Sequence, residues 1–178
     1  ITNEKYTNDT TIMAWEVANE PRIFTKENEK AFTIWLNDVI DYMDSLDKNH
    51  LITTGSEGKA GSNDDLAAFK RTHTNKNIDY VTMHIWPKNW GWYKMEDEKG
   101  STPIAIQKTI EYIDEHITVA KELNRPIVLE EFGYPRNQES LDRNASSEFR
   151  NQFYNAIFKR LDDAITNNEP FVALNFWG

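Results

Sequence analysis

Five apolar runs alternate with segments of helical periodicity along the 178 residues of this chain. The runs lie at residues 11–18, 51–54, 78–85, 126–131 and 171–176. Two strands separated by a helix pair in parallel, since a parallel neighbour requires a long crossover connection. Near-continuous apolar strands are typical of a parallel sheet that is covered on both faces. The alternation therefore predicts an α/β fold built from β-α units.

The segments between these runs place apolar residues three or four positions apart, which is the spacing of an amphipathic helix. Predicted helices span about residues 26–46, 65–71 and 147–166. A fourth is expected to begin near Pro103, because proline lacks an N–H and suits the first turn of a helix. The predicted order is β-α-β-α-β-α-β-α-β.

The composition excludes several classes of function. The formal net charge is −9, which argues against a nucleic acid partner because phosphate contacts require clustered Lys and Arg. The chain has no Cys and no His-x-x-x-His pair, so we predict no metal and no cofactor. No apolar run reaches the ~18 residues that a membrane span needs. A neutral ligand such as a polysaccharide is compatible with these observations.

Polar and aromatic side chains stand where the predicted strands end. They are Asn19, Glu20, Glu57, His84, Trp86, Glu131 and Trp177. In parallel α/β folds the carboxyl ends of the strands share one edge of the sheet, and active sites lie there. We therefore expect these residues to form one site.

Two of them, Glu20 and Glu131, form the kind of carboxylate pair that glycoside hydrolysis requires. Pro21 is expected to push Glu20 towards extended geometry and to force a turn there. Strand alternation places Leu129 and Glu131 on one face and Glu130 on the other. Glu131 lies nearer the strand end, so it is the predicted reactive group and Glu130 a supporting partner.

Strict alternation in the first strand puts Glu16 on the face of Glu20 and Asn19 on the opposite face. Asn19 then reaches the site only if the strand is bulged, and bulges are common beside active sites. Glu16 is predicted to be a buried, paired structural acid.

Aromatic residues crowd the loop at residues 88–100, with Trp90, Trp92 and Tyr93 close together. They form either a hydrophobic plug under the loop or a platform for the flat faces of sugars. The platform is the interpretation that we adopt for Trp90 and Trp92. By the same reasoning His84 and Trp86, which share a strand face, are predicted to contact substrate.

Five motifs, in order, resemble those of glycoside hydrolase family 5. They are Trp-Glu-Val-Ala-Asn-Glu-Pro-Arg at 15–22, Thr-Gly-Ser-Glu-Gly at 54–58, His-Ile-Trp-Pro at 84–87, Leu-Glu-Glu-Phe-Gly at 129–133 and Phe-Trp-Gly at 176–178. Within the family the chain looks most like the bacterial endo-β-1,4-mannanases. The resemblance implies a (β/α)8 TIM barrel that cleaves β-mannan polysaccharides or oligosaccharides with retention of configuration. It also implies a secreted, cell-surface or periplasmic protein.

Carried over by motif, Glu20 would be the general acid/base and Glu131 the nucleophile. Asn19 would hydrogen-bond the sugar 2-hydroxyl, His84 would contact the catalytic centre, and Trp177 would form the floor of the −1 subsite. The family often has Tyr two residues after this His, where the present chain has Trp.

Length separates this chain from a complete barrel of about 250 residues. Its first strand resembles the fourth strand of the family and its last the eighth. Residues 1–178 are thus expected to be the β4 to β8 portion of a catalytic domain, with strands one to three on another segment or chain. Five strands cannot close a barrel, and both edges would expose unpaired backbone groups. We expect the isolated chain to be poorly folded or inactive.

Three alternatives to a mannanase share some of these features. An endo-β-1,4-glucanase of the same family would share both carboxylates and differ in its contacts to sugar. A catalytically silent carbohydrate-binding fragment would keep the aromatic residues but would not require two carboxylates at strand ends. A phosphate-binding α/β protein is disfavoured, because no Gly-rich loop stands directly before a helix and the net charge is negative.

Overall fold

The computed structural model describes residues 5–177. Its strands are β1 (Ala14–Glu16), β2 (Leu51–Thr53), β3 (Val81–Ile85), β4 (Ile127–Phe132) and β5 (Phe171–Phe176). Its α-helices are α1 (Glu29–Leu46), α2 (Leu66–Thr72), α3 (Glu98–Leu123) and α4 (Glu148–Thr166). The predicted α/β alternation is confirmed, and among the described residues none of the helices is long and apolar enough to cross a membrane.

All the strand pairs are parallel. β1 pairs with β2, β3 with β4, and β4 with β5. The N–H of Asp79 donates to the carbonyl of Ile52 at 2.9 Å, and the N–H of His84 to that of Glu57 at 3.3 Å, so β2 lies beside β3. The strands therefore follow one another in chain order. Because parallel crossovers are right-handed, this order puts all the connecting helices on the same side of the strands.

The expectation that the strands are covered on both faces is wrong for the described residues. The central strand β3 is buried throughout. On the outer strands, Val172 of β5 is 49% exposed and Glu16 of β1 is also exposed. Every crossover helix lies on one side, so no helix within residues 5–177 covers the opposite face of the outer strands.

The core lies between the strands and the helix layer. Its residues have essentially no accessible surface: Leu36, Ile40, Phe69, Ile113, Phe153 and Ile157 from the helices, and Val81, Met83, Ile85, Ile127, Leu129, Phe132 and Phe171 from the strands. All of them except Phe132, which directly follows the run at 126–131, lie within the helices and apolar runs that the sequence predicts. At 25 cal/mol per Å² of apolar surface, such side chains contribute about 1.5–3 kcal/mol each relative to exposure.

The boundaries of two elements differ most from the prediction. β1 covers three residues instead of eight, because the chain turns away from β2 before Asn19. Helix α3 begins at Glu98, where the Asp97 side chain accepts from the N–H of Gly100 at 3.1 Å and caps the first turn. Pro103 therefore lies inside the helix, early enough that its missing N–H removes a single intrahelical bond.

Candidate active site

A pocket of about 270 Å³ lies at the carboxyl ends of the strands. Its walls are formed by Asn19, Glu20, Arg22, Glu57, Trp86, Asn89, Trp90, Glu131 and Trp177. Six of the eight predicted site residues are among them. His84 lies directly against the carboxylates of Glu20 and Glu131, and Trp92 lies elsewhere.

The turn after β1 brings both Asn19 and Glu20 to this pocket. The N–H of Val17 still donates to Thr53 of β2, but the chain then leaves the strand. The N–H of Glu20 donates to the carbonyl of Gly55 at 2.9 Å, and Glu20 has φ +50°. The expectation of an extended Glu20 is therefore wrong. Alternation no longer applies beyond the strand end, so Asn19 and Glu20 share the pocket without a bulge.

Glycine is the only residue type that fits at position 55, beside this turn. Gly55 has φ +72°, a conformation that glycine adopts without steric cost. A Cβ there would lie 2.1 Å from the carbonyl oxygen of Ala18 and 2.2 Å from Oε1 of Glu16. The turn at Glu20 can therefore pack against the end of β2 only because residue 55 has no side chain.

A bulge in β4 places two consecutive carboxylates on the same side of the strand. Met83 pairs with Leu129 and His84 pairs with Glu131, so Glu130 is the extra residue. Leu129 is fully buried in the core, whereas Glu130 and Glu131 both lie close to the His84 ring. The prediction that Leu129 and Glu131 share a face is wrong, because the bulge shifts the alternation by one residue.

His84 is the centre of the site, with a side chain that is 1% exposed. Its Nδ1 lies 3.0 Å from Oε1 of Glu20 and 3.5 Å from Oε2 of Glu131. Its Nε2 lies 3.5 Å from Oε2 of Glu130. Burial opposes protonation of the ring, but hydrogen bonds to Glu130 and Glu20 outweigh it and raise the pKa of His84.

One oxygen of Glu20, one nitrogen of His84 and one oxygen of Glu131 all lie within 4.8 Å of one another. Among residues 5–177 these are the atoms that converge closely enough to hold a metal ion. The hydrogen bonds of His84 account for the convergence without one. The arrangement provides two carboxylates that can act on the two sides of a single bond.

Trp86 supplies a hydrogen bond to Glu131. Its indole Nε1–H donates to Oε2 of Glu131 at 3.3 Å. A Cβ on Gly133 would lie 2.7 Å from Cζ3 of Trp86 and 2.7 Å from the carbonyl oxygen of Trp177. Because Gly133 has no side chain, the indole ring of Trp86 can reach the Glu131 carboxylate. The indole N–H here stands where a tyrosine hydroxyl is expected from the family resemblance.

Arg22, which was not among the predicted site residues, forms an ion pair with Glu57. Nε and Nη2 of Arg22 lie 2.7 and 2.9 Å from the two carboxylate oxygens of Glu57, which is 2% exposed. Nη2 also donates to Glu20 at 3.3 Å. Burial and the charge of Glu20 raise the pKa of Glu57, while Arg22 opposes them. In the sequence, Arg22 belongs to the motif at 15–22 and Glu57 to the motif at 54–58, and this membership is what could have indicated the place of Arg22 in the site.

The loop aromatics divide between two environments. Trp90 lines the pocket and also an adjoining groove of about 430 Å³. Trp92 packs edge-on against Trp90 at 4.9 Å between ring centroids and borders this groove, with the Lys108 ammonium 5.6 Å from the centre of its ring. Tyr93 is buried and donates to Glu98 at 2.9 Å. Trp90 is thus beside the carboxylates, Trp92 is displaced from them, and Tyr93 belongs to the plug.

Trp177 continues the pairing of β5 with β4. Its N–H donates to the carbonyl of Phe132 at 2.8 Å, and its side chain is 57% exposed at the mouth of the pocket. Gly178, the last residue of the 176–178 motif, lies outside the described residues.

The prediction that Glu16 is buried is wrong, because the residue is exposed. Its carboxyl group lies against Gly55 and close to the charge of Glu130. Desolvation of the carboxyl group, followed by the charge of Glu130, raises the pKa of Glu16 to about 7.

A family model described as "GH family 5 beta-mannosidase-like" matches residues 1–178. Among curated relatives, mannan endo-1,4-beta-mannosidase 2 of Arabidopsis thaliana is 30% identical over 173 residues, which cover 89% of this chain and 38% of the relative. Mannan endo-1,4-beta-mannosidase 5 of the same plant is 27% identical over 174 residues, covering 89% and 39%. The chain therefore spans about two fifths of the length of these relatives.

Solved structures give the same result. The glycoside hydrolase family 5 mannosidase of Rhizomucor miehei superimposes with a TM-score of 0.85 at 28% identity, covering 100% of this chain and 42% of that one. The endo-1,4-beta-D-mannanase of Thermotoga petrophila has a TM-score of 0.74 at 27% identity, covering 97% and 47%. The parallel strands and outer helices thus correspond to part of a TIM barrel.

Proposed function

The chain belongs to the β-mannosidase-like group of glycoside hydrolase family 5, and on this premise we propose that it forms part of a retaining endo-β-1,4-mannanase. The observation that carries the proposal is the approach of Glu20 to Glu131, with one oxygen of each within 4.8 Å. Retaining glycosidases hold their carboxyl groups about 5–5.5 Å apart, whereas inverting enzymes need about 6.5–9.5 Å for a water molecule. The spacing favours double displacement.

In the first step, Glu131 attacks the anomeric carbon while Glu20 donates its proton to the oxygen of the leaving sugar. The glycosidic bond breaks, and a covalent glycosyl ester forms on Glu131. In the second step, Glu20 removes a proton from water, and that water displaces Glu131 from the same anomeric carbon. Two inversions leave the configuration unchanged, and both carboxyl groups return to their initial states.

The other pocket residues hold the sugar and the two acids. We assign Asn19 to the 2-hydroxyl and the exposed ring of Trp177 to the face of the sugar at the cleavage site. Trp86 orients Glu131 through its indole N–H. Trp90 extends the aromatic surface, and we place Trp92 farther along the substrate, in the adjoining groove.

Residues 1–178 supply five strands of the proposed barrel. The "complete enzyme" below means the polypeptide or assembly that adds the remaining strands. We expect residues 1–178 alone to lack a cooperative thermal transition and mannanase activity, since the uncovered strands leave apolar side chains such as Phe176 exposed. Full activity of the isolated chain would contradict the partial-domain proposal. We further propose that the complete enzyme acts on extracellular or periplasmic polysaccharide.

The roles of the two acids are tested in the complete enzyme with Glu131→Ala and Glu20→Ala. Each should lower kcat on mannan by at least ~10³-fold, because each removes a reacting group. With an aryl mannoside, whose leaving group needs no acid, azide should restore turnover of Glu20→Ala and give the β-azide. Azide should give the α-azide with Glu131→Ala. Exposed Glu148 provides the control, and Glu148→Ala should leave kcat unchanged.

Turnover of mannan by Glu131→Ala at the wild-type rate would refute the assignment. Products that first appear as the α-anomer would refute retention. Comparison of galactomannan, glucomannan and carboxymethylcellulose separates the mannanase from an endoglucanase, and absence of any hydrolysis would leave a carbohydrate-binding role.

A further inference from the structure

The hydrogen-bond partner of one imidazole nitrogen decides which nitrogen of a histidine carries hydrogen. For His84 that partner is Glu130, whose Oε2 lies 3.5 Å from Nε2, at the long limit of hydrogen bonding. An ionised carboxylate can only accept, so Nε2 must be the donor. Nδ1 is then the nitrogen whose protonation can change, and it faces Glu20 and Glu131.

Glu16 is an acidic neighbour of Glu130. Two neighbouring carboxyl groups can form a hydrogen bond only if one of them carries a proton. Desolvation and the charge of Glu130 raise the pKa of Glu16 to about 7, so below that pH Glu16 carries a proton that it can donate to Glu130. The result is a chain of contacts from Glu16 through Glu130 to Nε2 of His84, and from Nδ1 to Glu20.

We propose that Glu130 is a positioning residue, which fixes hydrogen on Nε2 of His84 so that Nδ1 serves the two catalytic carboxylates. The proposal rests on the function assigned above. One proton lies between Nδ1 of His84 and Oε1 of Glu20. Glu20 gives this proton to the leaving sugar in the first step and takes one back from water in the second, when Nδ1 again accepts from it. The number of protons is therefore restored after each turnover, and Glu130 itself touches neither substrate nor reacting atoms.

The bulge in β4 makes this arrangement possible. Glu130 is the unpaired extra residue between Leu129 and Glu131, so its side chain joins that of Glu131 on the His84 side. In a regular strand one of the two acids would point into the helix layer. The charged or titratable groups around His84 are Glu16 and Glu20 from β1 and its turn, Glu57 after β2, Tyr80 before β3, and Glu130 and Glu131 of β4.

Nitrogen NMR of the imidazoles in the complete enzyme tests the tautomer directly. Between about pH 5 and 8, Nε2 of His84 should be protonated. His73 and His116 are references in the same spectrum, because their Nδ1 atoms lie 2.7 Å from the carbonyl oxygens of Phe69 and Tyr112 and must carry the hydrogen. An unprotonated Nε2 on His84 in this range would overturn the proposal, whatever the enzyme's activity.

Kinetics separate positioning from simple stability. Glu130→Leu removes the acceptor at similar size and should lower kcat by about 10–100-fold with little change in KM, as loss of a supporting hydrogen bond does for metal-bound histidines. Glu130→Gln keeps an acceptor oxygen and should restore most of kcat. Wild-type kcat in Glu130→Leu would overturn the proposal, and so would equal losses in both variants.

Glu16→Gln tests the outer part of the chain. Its amide N–H can donate to Glu130 at every pH, so kcat should match wild type below about pH 6 and persist to higher pH on the alkaline side. An unchanged pH profile would overturn the role of Glu16. If Glu130→Leu does not fold, the nitrogen shifts and the Glu130→Gln and Glu16→Gln profiles still decide. Because the tautomer does not depend on turnover, failure of the proposed function would be distinguishable.

Discussion

Replacing Gly55 with alanine should displace the turn that carries Glu20. The new Cβ would lie 2.1 Å from the carbonyl oxygen of Ala18 and 2.2 Å from Oε1 of Glu16. Real Cβ contacts essentially never fall below 3.0 Å, so a neighbour must move. Glu16 can rotate, but the Ala18 carbonyl belongs to the backbone of the turn. The hydrogen bond from Glu20 to the Gly55 carbonyl must then lengthen or break.

The cost can be worked from these contacts. A left-handed conformation costs an L-residue about 1–2 kcal/mol. Loss of the Glu20 hydrogen bond adds about 0.5–1.5 kcal/mol. We expect Gly55→Ala to lower the free energy of unfolding by about 1.5–3.5 kcal/mol, before any residual strain. Because the acid/base moves with the turn, kcat should fall by about 10²-fold.

Gly91 is a matched control. It has φ +69°, close to that of Gly55, but a Cβ there would meet nothing within 4 Å. Gly91→Ala should therefore cost only the backbone term, about 1–2 kcal/mol, and should leave kcat unchanged. Both variants are measured in the complete enzyme by urea unfolding and by turnover of mannan oligosaccharides. Equal stability and equal kcat in the two variants would refute the steric argument.

Two further predictions concern the helix layer and the buried histidines. Phe153→Ala should lower the free energy of unfolding by about 3–5 kcal/mol in urea, because the Phe153 ring is fully buried. Phe158, on the outer side of α4, is 43% exposed, and Phe158→Ala should cost less than about 1 kcal/mol. Similar losses of stability in the two variants would contradict the packing of α4. Burial lowers the pKa of His73 to about 4 and that of His116 to about 3, from an ordinary value of 6.5. The unfolded chain therefore binds more protons than the folded one. The stability that these neutral histidines contribute is full above about pH 6.5 and is lost as the pH falls towards 4. His116→Gln should weaken this dependence of the urea midpoint, and an identical slope in the variant would contradict it.

The strand order and the core could be predicted because they depend on repeated patterns. An apolar residue every fourth position, as at Phe153 and Ile157, continues over several turns, and both residues are fully buried in α4. Parallel pairing follows from the intervening helices alone. Such patterns average over many residues, so a single exception does not change the result.

The details of the site depend on single exceptions. Glu20 takes φ +50° because its N–H is held by Gly55, a contact made across the sheet. Arg22 and Glu57 pair across 35 positions, and nothing in either local sequence specifies the partner. Glu130 breaks the alternation by one residue. The location of the site could be predicted from the positions of the strand ends. The orientation of each side chain depends on tertiary contacts, which the sequence pattern does not specify.

The bulge in β4 also sets how many acids a short strand can present. In a regular strand, side chains on one face recur every two residues, about 6.6 Å apart. At the bulge, Glu130 and Glu131 face the same side from adjacent Cα atoms, about 3.8 Å apart. The local density of carboxylates is nearly doubled, which allows one acid to react while its neighbour holds the histidine. A transplanted site would need the extra residue itself, since copying the two side chains onto a regular strand would separate them.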